Sequence, residues 1–198
     1  FRRVLFRSDA ITAMRAANLT VVTIDPKGVE GVYRTMRLIG DAVGGSAPAA
    51  QLVASVRADM ARLAALIPAG ARPKVFYEID ATSTIYGLAP DDYAAELIGL
   101  AGGEPVTSGS AGVYEIALET LVAAAPEVIL LGDAAYGTTA EGVAARPGWS
   151  AIPAVVGGAI RPVDGDLVTT PGPRLASALA ALIVAIDPGI SVPAITAP

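Results

Sequence analysis

Between residues 74 and 188, short apolar or β-branched runs take turns with stretches of helical periodicity, and few architectures accept that rhythm. Strands are expected at 74–79 (KVFYEI), 104–106 (EPV), 127–131 (EVILL) and 159–163 (AIRPV). Helices are expected at 90–101, with Gly102-Gly103 as its stop, at 114–124 and at 173–185, and short helical turns at 142–146 and 149–152 around Pro147. The run EVILL has no polar alternation, which suits a parallel strand covered on both faces. Helices between strands are the simplest crossovers for a parallel sheet, so the fold class is α/β with a mostly parallel sheet.

Upstream of that region the texture is more helical. Residues 9–17 read as the end of a helix, and 19–24 (LTVVTI), closed by Asp25-Pro26, read as a buried strand whose sheet partners would be encoded further upstream. A helix over 29–43 carries Val32, Met36, Ile39 and Val43 on one stripe and stops at Gly44-Gly45. Ser46 is expected to cap a second helix over 47–67, with Leu52, Val56, Met60, Leu63 and Ile67 inward and Arg57, Asp59 and Arg62 off that stripe. At about 1.5 Å per residue this helix runs roughly 30 Å, long enough to join two lobes. The Pro-rich stretch from 187 onward (DPGISVPAITAP) is expected to be loose.

Composition narrows the chemistry. With 53% hydrophobic and 17% charged residues the chain can bury a core, and no uninterrupted apolar run reaches the roughly 18 residues of a bilayer span. There is no cysteine, so disulfides, thiolate metal sites and cysteine nucleophiles are excluded; there is no histidine, which removes a Ser-His-Asp triad, a His-ligated zinc and an imidazole base. Residues 1–8 (FRRVLFRS) match what a sequencing adapter spells in one reading frame and are set aside as a scar. Without their three arginines the formal charge moves from −5 to −8, which argues against nucleic acid or an anionic membrane surface as partner.

Several phrases, in this order and spacing, resemble the C-terminal half of the cobalamin, haem and iron-siderophore binding-protein family that serves ABC importers. They are VVTID (21–25), LIGDAVG (38–44), VFYEID (75–80), YAAELIGLAGGEPV (93–106), LETLVAAAPEVILLGD (118–133), RPGWSAIPAV (146–155) and VDGDLVTTPGPRL (163–175). The resemblance implies an N-terminally truncated receptor: 9–45 as the remnant of an N-terminal lobe, 46–67 as the interlobe helix, 72–188 as a complete Rossmann-like C-terminal lobe and 189–198 as a loose tail. It further implies no catalysis and no cofactor, a bound metal complex (cobalamin, haem or a ferric siderophore), a permease dimer as partner, a monomer, and an extracytoplasmic location, either periplasmic or as a cell-surface lipoprotein held to the membrane only through an N-terminal anchor outside this stretch of chain.

Open α/β sheets place ligands beyond the carboxyl ends of their strands. Four loops qualify, 80–89, 106–114, 133–139 and 164–170, and in them Tyr86, Tyr114 and Tyr136 can stack on a flat macrocycle or offer a hydroxyl. Asp166 and Thr170 match ligand-contacting positions of the corrinoid-binding branch, although a member of that branch carries arginine where Thr170 stands. Glu119 matches a lobe-surface glutamate that docks on the permease. Trp149 is expected in the core, the glycines of 137–142 (GTTAEG) lack phosphate-loop spacing, and Glu78 with Asp80 forms a weak acid–base pair. The competing reading is a fragment of an α/β enzyme of nitrogenase-like or chelatase-like layout, which would want Cys or His ligands; a sensor domain built on the same binding fold is a third. Haem would need an axial ligand, for which without histidine only a tyrosine could serve, whereas ferric siderophores usually call for basic residues; Asp166 and an acidic body favour a neutral or cationic ligand such as a corrinoid.

Overall fold

The computed structural model describes residues 2–196, with backbone only for 2–8; Phe1 and the side chains of the expected scar lie outside the described residues. Four parallel strands form one sheet in the order β2-β1-β3-β4, with β1 at Lys74–Glu78, β2 at Glu104–Val106, β3 at Val128–Leu131 and β4 at Ile160–Pro162. Every strand is within one residue of its expected bounds at either end. The chain leaves β1 for β2 on one side, then returns past β1 to lay β3 and β4 on the other, so the direction of winding reverses between β1 and β3.

Helices cover both faces, and the period-2 alternation of β1 sorts its side chains between them. Val75 and Tyr77 join Val128 and Leu130 under α2 (Gly28–Ala42), α3 (Ser46–Ala64), α4 (Tyr93–Leu100) and α9 (Leu175–Ile186). Phe76, Ile129 and Leu131 lie under α5 (Leu118–Ala124), α6 (Ala140–Ala144) and α7 (Pro153–Val156). Trp149 sits in this second core, 6.3 Å from Phe76 in an edge arrangement, as expected. Gly102 ends α4 in the left-handed region, with Gly103 N–H donating to Ile98 O at 2.9 Å, which is the expected stop.

Several expectations are corrected. Residues 19–27 make no strand, and Leu19 and Val22 stay exposed, while α1 (Arg2–Ala16) ends just before them as expected. In α2 the buried stripe is Val29, Val32, Tyr33, Met36 and Gly40, whereas Ile39 and Val43 face outward: Arg57 of α3 stacks over Tyr33 and pairs with Glu30, which sets the rotation of the helix. Gly45, not Ser46, occupies the N-cap of α3, and that helix ends at Ala64.

Asp59 is buried rather than off the stripe. Its carboxylate accepts from Thr196 N–H at 3.0 Å and from the Thr196 hydroxyl at 2.9 Å, and pairs with Arg62. The tail thus has no helix or strand over 187–196 but is fastened, with Ile190, Val192 and Ile195 against the first core. Residues 114–117 do not enter α5; Tyr114 O and Ile116 N–H bond instead to Gly87 N–H and Ile85 O. The region 145–152 is turn, and a short helix α8 (Gly165–Thr169), capped by the Asp164 side chain at Leu167 N–H, occupies what was expected to be loop.

Candidate functional site

The carboxyl ends of β1 and β3 flank the reversal in winding, the place where an open α/β sheet leaves a crevice. Gly132 and Asp133 follow β3, and after them comes a 3-10 turn at Ala134–Tyr136. On the first face a cavity of about 270 Å³ opens between the strand ends and α8, lined by Tyr77, Ile79, Gly132, Tyr136, Gly165, Asp166 and Thr169. Its formation depends on two glycines: a Cβ on Gly165 would lie 2.0 Å from Gly132 O, and one on Gly132 would lie 2.3 Å from the Tyr77 hydroxyl. Only with hydrogen at both positions can α8 close on β3.

Tyr77 is 1% exposed and its hydroxyl has no hydrogen-bond partner among the described residues. Burial pushes that phenol up, and the nearby Asp133, Asp164, Asp92 and Asp166 add to the shift. On the opposite face Glu78, fully buried, accepts both guanidinium nitrogens of Arg146 at 2.6 and 2.8 Å, and Arg146 in turn lies 4.7 Å over Trp149. Burial holds the Glu78 carboxyl above the ordinary glutamate range; Arg146 opposes the shift and Asp133 reinforces it. Asp133 accepts from the Thr138 hydroxyl at 2.7 Å, which ties the 3-10 turn to the sheet end.

The expected site residues distribute unevenly. Tyr136 and Asp166 come together at the rim of the cavity, Tyr136 with 84% of its surface exposed. Thr170 does not line it; it is the exposed residue after α8, and Thr169 lines the cavity in its place. The Tyr114 hydroxyl donates to Asp92 Oδ2 at 3.0 Å, and burial with that carboxylate pushes the phenol up, so its proton is committed within the protein. Tyr86 N–H donates to Asp80 O and Tyr86 O accepts from Ile79 N–H, both at 2.8 Å, which folds 80–86 back on the strand end. Glu119 stands exposed in the first turn of α5, away from the cavity lining. Glu78 and Asp80 form no acid–base pair: Glu78 is held by Arg146, and Asp80 accepts from Thr82 N–H at 3.0 Å and its hydroxyl at 3.2 Å.

Sequence reasoning missed Tyr77, Thr169, Gly132 and Asp133. A tyrosine inside a strand flanked by apolar positions is the signal that could have found Tyr77, because a buried phenol normally finds a partner. Charge at this edge is one-sided. Loops 80–92, 107–117, 132–139 and 163–170 carry Asp80, Asp91, Asp92, Glu115, Asp133, Asp164 and Asp166 and no lysine or arginine. Lys27 is paired with Asp91 at 3.1 Å and Arg146 with Glu78. Among the described residues no group of three or more acidic side chains is arranged to hold a metal ion, and no helix is long and apolar enough to cross a membrane.

A profile of the family described as periplasmic binding protein matches residues 6–166. The chain is 31% identical over 185 residues to the uncharacterized ABC transporter substrate-binding lipoprotein YvrC of Bacillus subtilis (strain 168), covering 91% of this chain and 58% of that protein. It is 25% identical over 183 residues to a cobalamin-binding protein of Halobacterium salinarum, covering 88% of this chain and 49% of that one. Among solved structures, the periplasmic haem-binding protein RhuT of Roseiflexus sp. RS-1, in its apo form, superposes with a TM-score of 0.76 at 25% identity, over 90% of this chain and 70% of that one. The chain therefore spans about half the length of the curated relatives it matches.

Proposed function

This chain belongs to the periplasmic binding protein family, and from that premise we propose that it is the C-terminal lobe and joining helix of an extracytoplasmic receptor that captures a corrinoid or iron complex, cobalamin first among them, and hands it to an ABC importer. One relative is an ABC transporter substrate-binding lipoprotein, another a cobalamin-binding protein and a solved neighbour a periplasmic haem-binding protein, and none of these supports the enzyme alternative. The observation that carries the ligand class is the acidic crevice edge, whose four loops hold no lysine or arginine. Ferric siderophores and haem bring anionic groups that such an edge repels, whereas a neutral or cationic corrinoid meets no such cost. The cobalamin-binding relative points the same way. Tyr136 and Asp166 at the rim are the ligand contacts of this reading, with Tyr86, Tyr114 and Thr170 as framing residues. The exposed Glu119 is its permease contact, the permease being a dimer and the receptor a lipoprotein monomer.

Equilibrium dialysis against cyanocobalamin, haemin and a ferric catecholate complex, each up to about 1 mM, tests the ligand. Cobalamin is expected to be retained in preference. Preference for either of the others replaces the ligand, and retention of none removes the receptor reading. Glu119→Arg is expected to lower cobalamin uptake by cells while leaving the dialysis result unchanged; equal uptake by parent and variant sinks the docking role.

A further inference from the structure

An α-helix leaves its first backbone N–H groups unpaired, and a side chain at the N-cap ordinarily accepts from the second or third of them. α2 lacks that local solution: Lys27 holds the N-cap position in an extended conformation, and a lysine has no acceptor to offer. The acceptor comes from 67 positions away, where Glu96 Oε2 on α4 takes the Val29 N–H at 2.7 Å. Gly28 leaves room for the carboxylate, since a Cβ there would lie 2.8 Å from Glu96 Oε2. A negative charge at this end also meets the positive end of the α2 dipole. Beside it Lys27 Nζ pairs with Asp91 at 3.1 Å, and Asp91 accepts from Gly112 N–H at 2.7 Å. α2 is thus fastened to α4 next to the crevice loops 90–92 and 107–114. From there a groove of about 1000 Å³ runs along α4 past Ala95 and Gly99, with Ala64 and Ile67 also lining it.

We infer that Glu96 is a positioning residue of the receptor: by accepting from Val29 N–H it holds the N-terminal end of α2 on α4 and sets where the segment 25–28 stands over the mouth of the crevice. The inference rests on the receptor reading above for the use of the crevice and adds the contact that sets its width on the β2 side. Buried residues of α2 and α4 share the first core, but apolar burial has no direction. A carboxylate oxygen taking one backbone N–H is satisfied in one register only. The Lys27–Asp91 pair cannot replace it, because Lys27 is half exposed and an exposed ion pair on a long side chain holds little. Arg57 of α3, stacked over Tyr33 and paired with Glu30, ties α2 to α3 in turn, so the two helices follow Glu96 as one hairpin.

The 198-residue chain has no cysteine, so Arg37→Cys on α2 and Thr120→Cys on α5, both at exposed positions, carry the only two spin labels. Double electron–electron resonance then reads the distance between them with no ligand present. One narrow distance is expected for the labelled parent. Glu96→Ala is expected to broaden it or add a second, and Glu96→Gln, whose carbonyl still accepts from Val29 N–H, is expected to keep the parent's distribution. Ile129→Val trims the second core away from this contact and is the control for lost stability, with a lower thermal midpoint and unmoved distances. Dialysis is expected to find cobalamin about fivefold weaker on Glu96→Ala, as when the competent arrangement falls to about a fifth of the population. The inference is overturned if Glu96→Ala keeps the parent's distances, if Glu96→Gln or Ile129→Val broadens them as much, or if a widened Glu96→Ala retains cobalamin like the parent. A parent that retains no cobalamin removes the receptor reading instead, and the distances still judge the contact.

Discussion

At the scale of single residues, the pairing of Glu78 with Arg146 governs the crevice. Glu78 is fully buried at the end of β1 and is paired with Arg146, itself 21% exposed. Arg146→Met would strand a buried carboxylate beside Asp133, and breaking such a pair from one side costs about 3 kcal/mol at neutral pH. The cost has a definite pH sign. Without Arg146 the folded Glu78 carboxyl rises further above its unfolded value, so its stability is complete below the unfolded value and is lost as pH rises through the folded one. Urea midpoints of Arg146→Met are therefore expected to approach the parent's near pH 4.5, the ordinary glutamate value, and to fall away from it toward pH 7; a constant gap across that range contradicts the account. The residues VFYE and the arginine of RPGW were visible in the sequence, but nothing in a separation of 68 positions said that they meet.

Elements were read more successfully than their faces and ends. The four strands and the two long downstream helices lie where apolar runs and periodicity put them, because burial on both sides of a parallel sheet leaves a local signature. Asp59 was assigned to the solvent side of α3 because a carboxylate on an amphipathic helix normally points outward. Its burial is decided by a segment 137 residues away, Thr196, that supplies its donors. This fastening leads to an element-scale expectation. Deleting 189–198 removes the Thr196 bonds and the cover of Ile190, Val192 and Ile195, and should lower stability by about 3 kcal/mol in urea unfolding. Asp59→Leu in the truncated chain should recover part of that loss, since it removes a buried carboxylate that has lost its Thr196 donors. No change on deletion would show that the contacts carry no stability. Gly165→Ala is expected to be worse tolerated than Gly157→Ala, since only the former drives a Cβ into a strand carbonyl; thermal melts of the two variants compare them.

For the whole molecule, the two-lobe reading sets the affinity. A cleft ligand has roughly 70–90% of its surface covered, and one lobe supplies about half of that. A complex worth about −12 kcal/mol would keep about −6 on this chain, a Kd of tens of micromolar. Equilibrium dialysis of cobalamin is expected to fall in that range and to tighten at least tenfold when the chain is joined to the complementary lobe of a relative; submicromolar binding by this chain alone contradicts a shared cleft. By itself the sequence determined the α/β class, the parallel strands, the absence of Cys and His chemistry and the acidic edge, because composition and short-range periodicity are local properties written into neighbouring residues. Only the tertiary structure decided that Tyr77 is orphaned above two glycines, that Arg146 reaches Glu78, that Tyr114 spends its proton on Asp92 and that the tail holds α3. Each of these joins atoms from distant stretches of chain, and such meetings are set by the order of strands in the sheet and the helices packed across it.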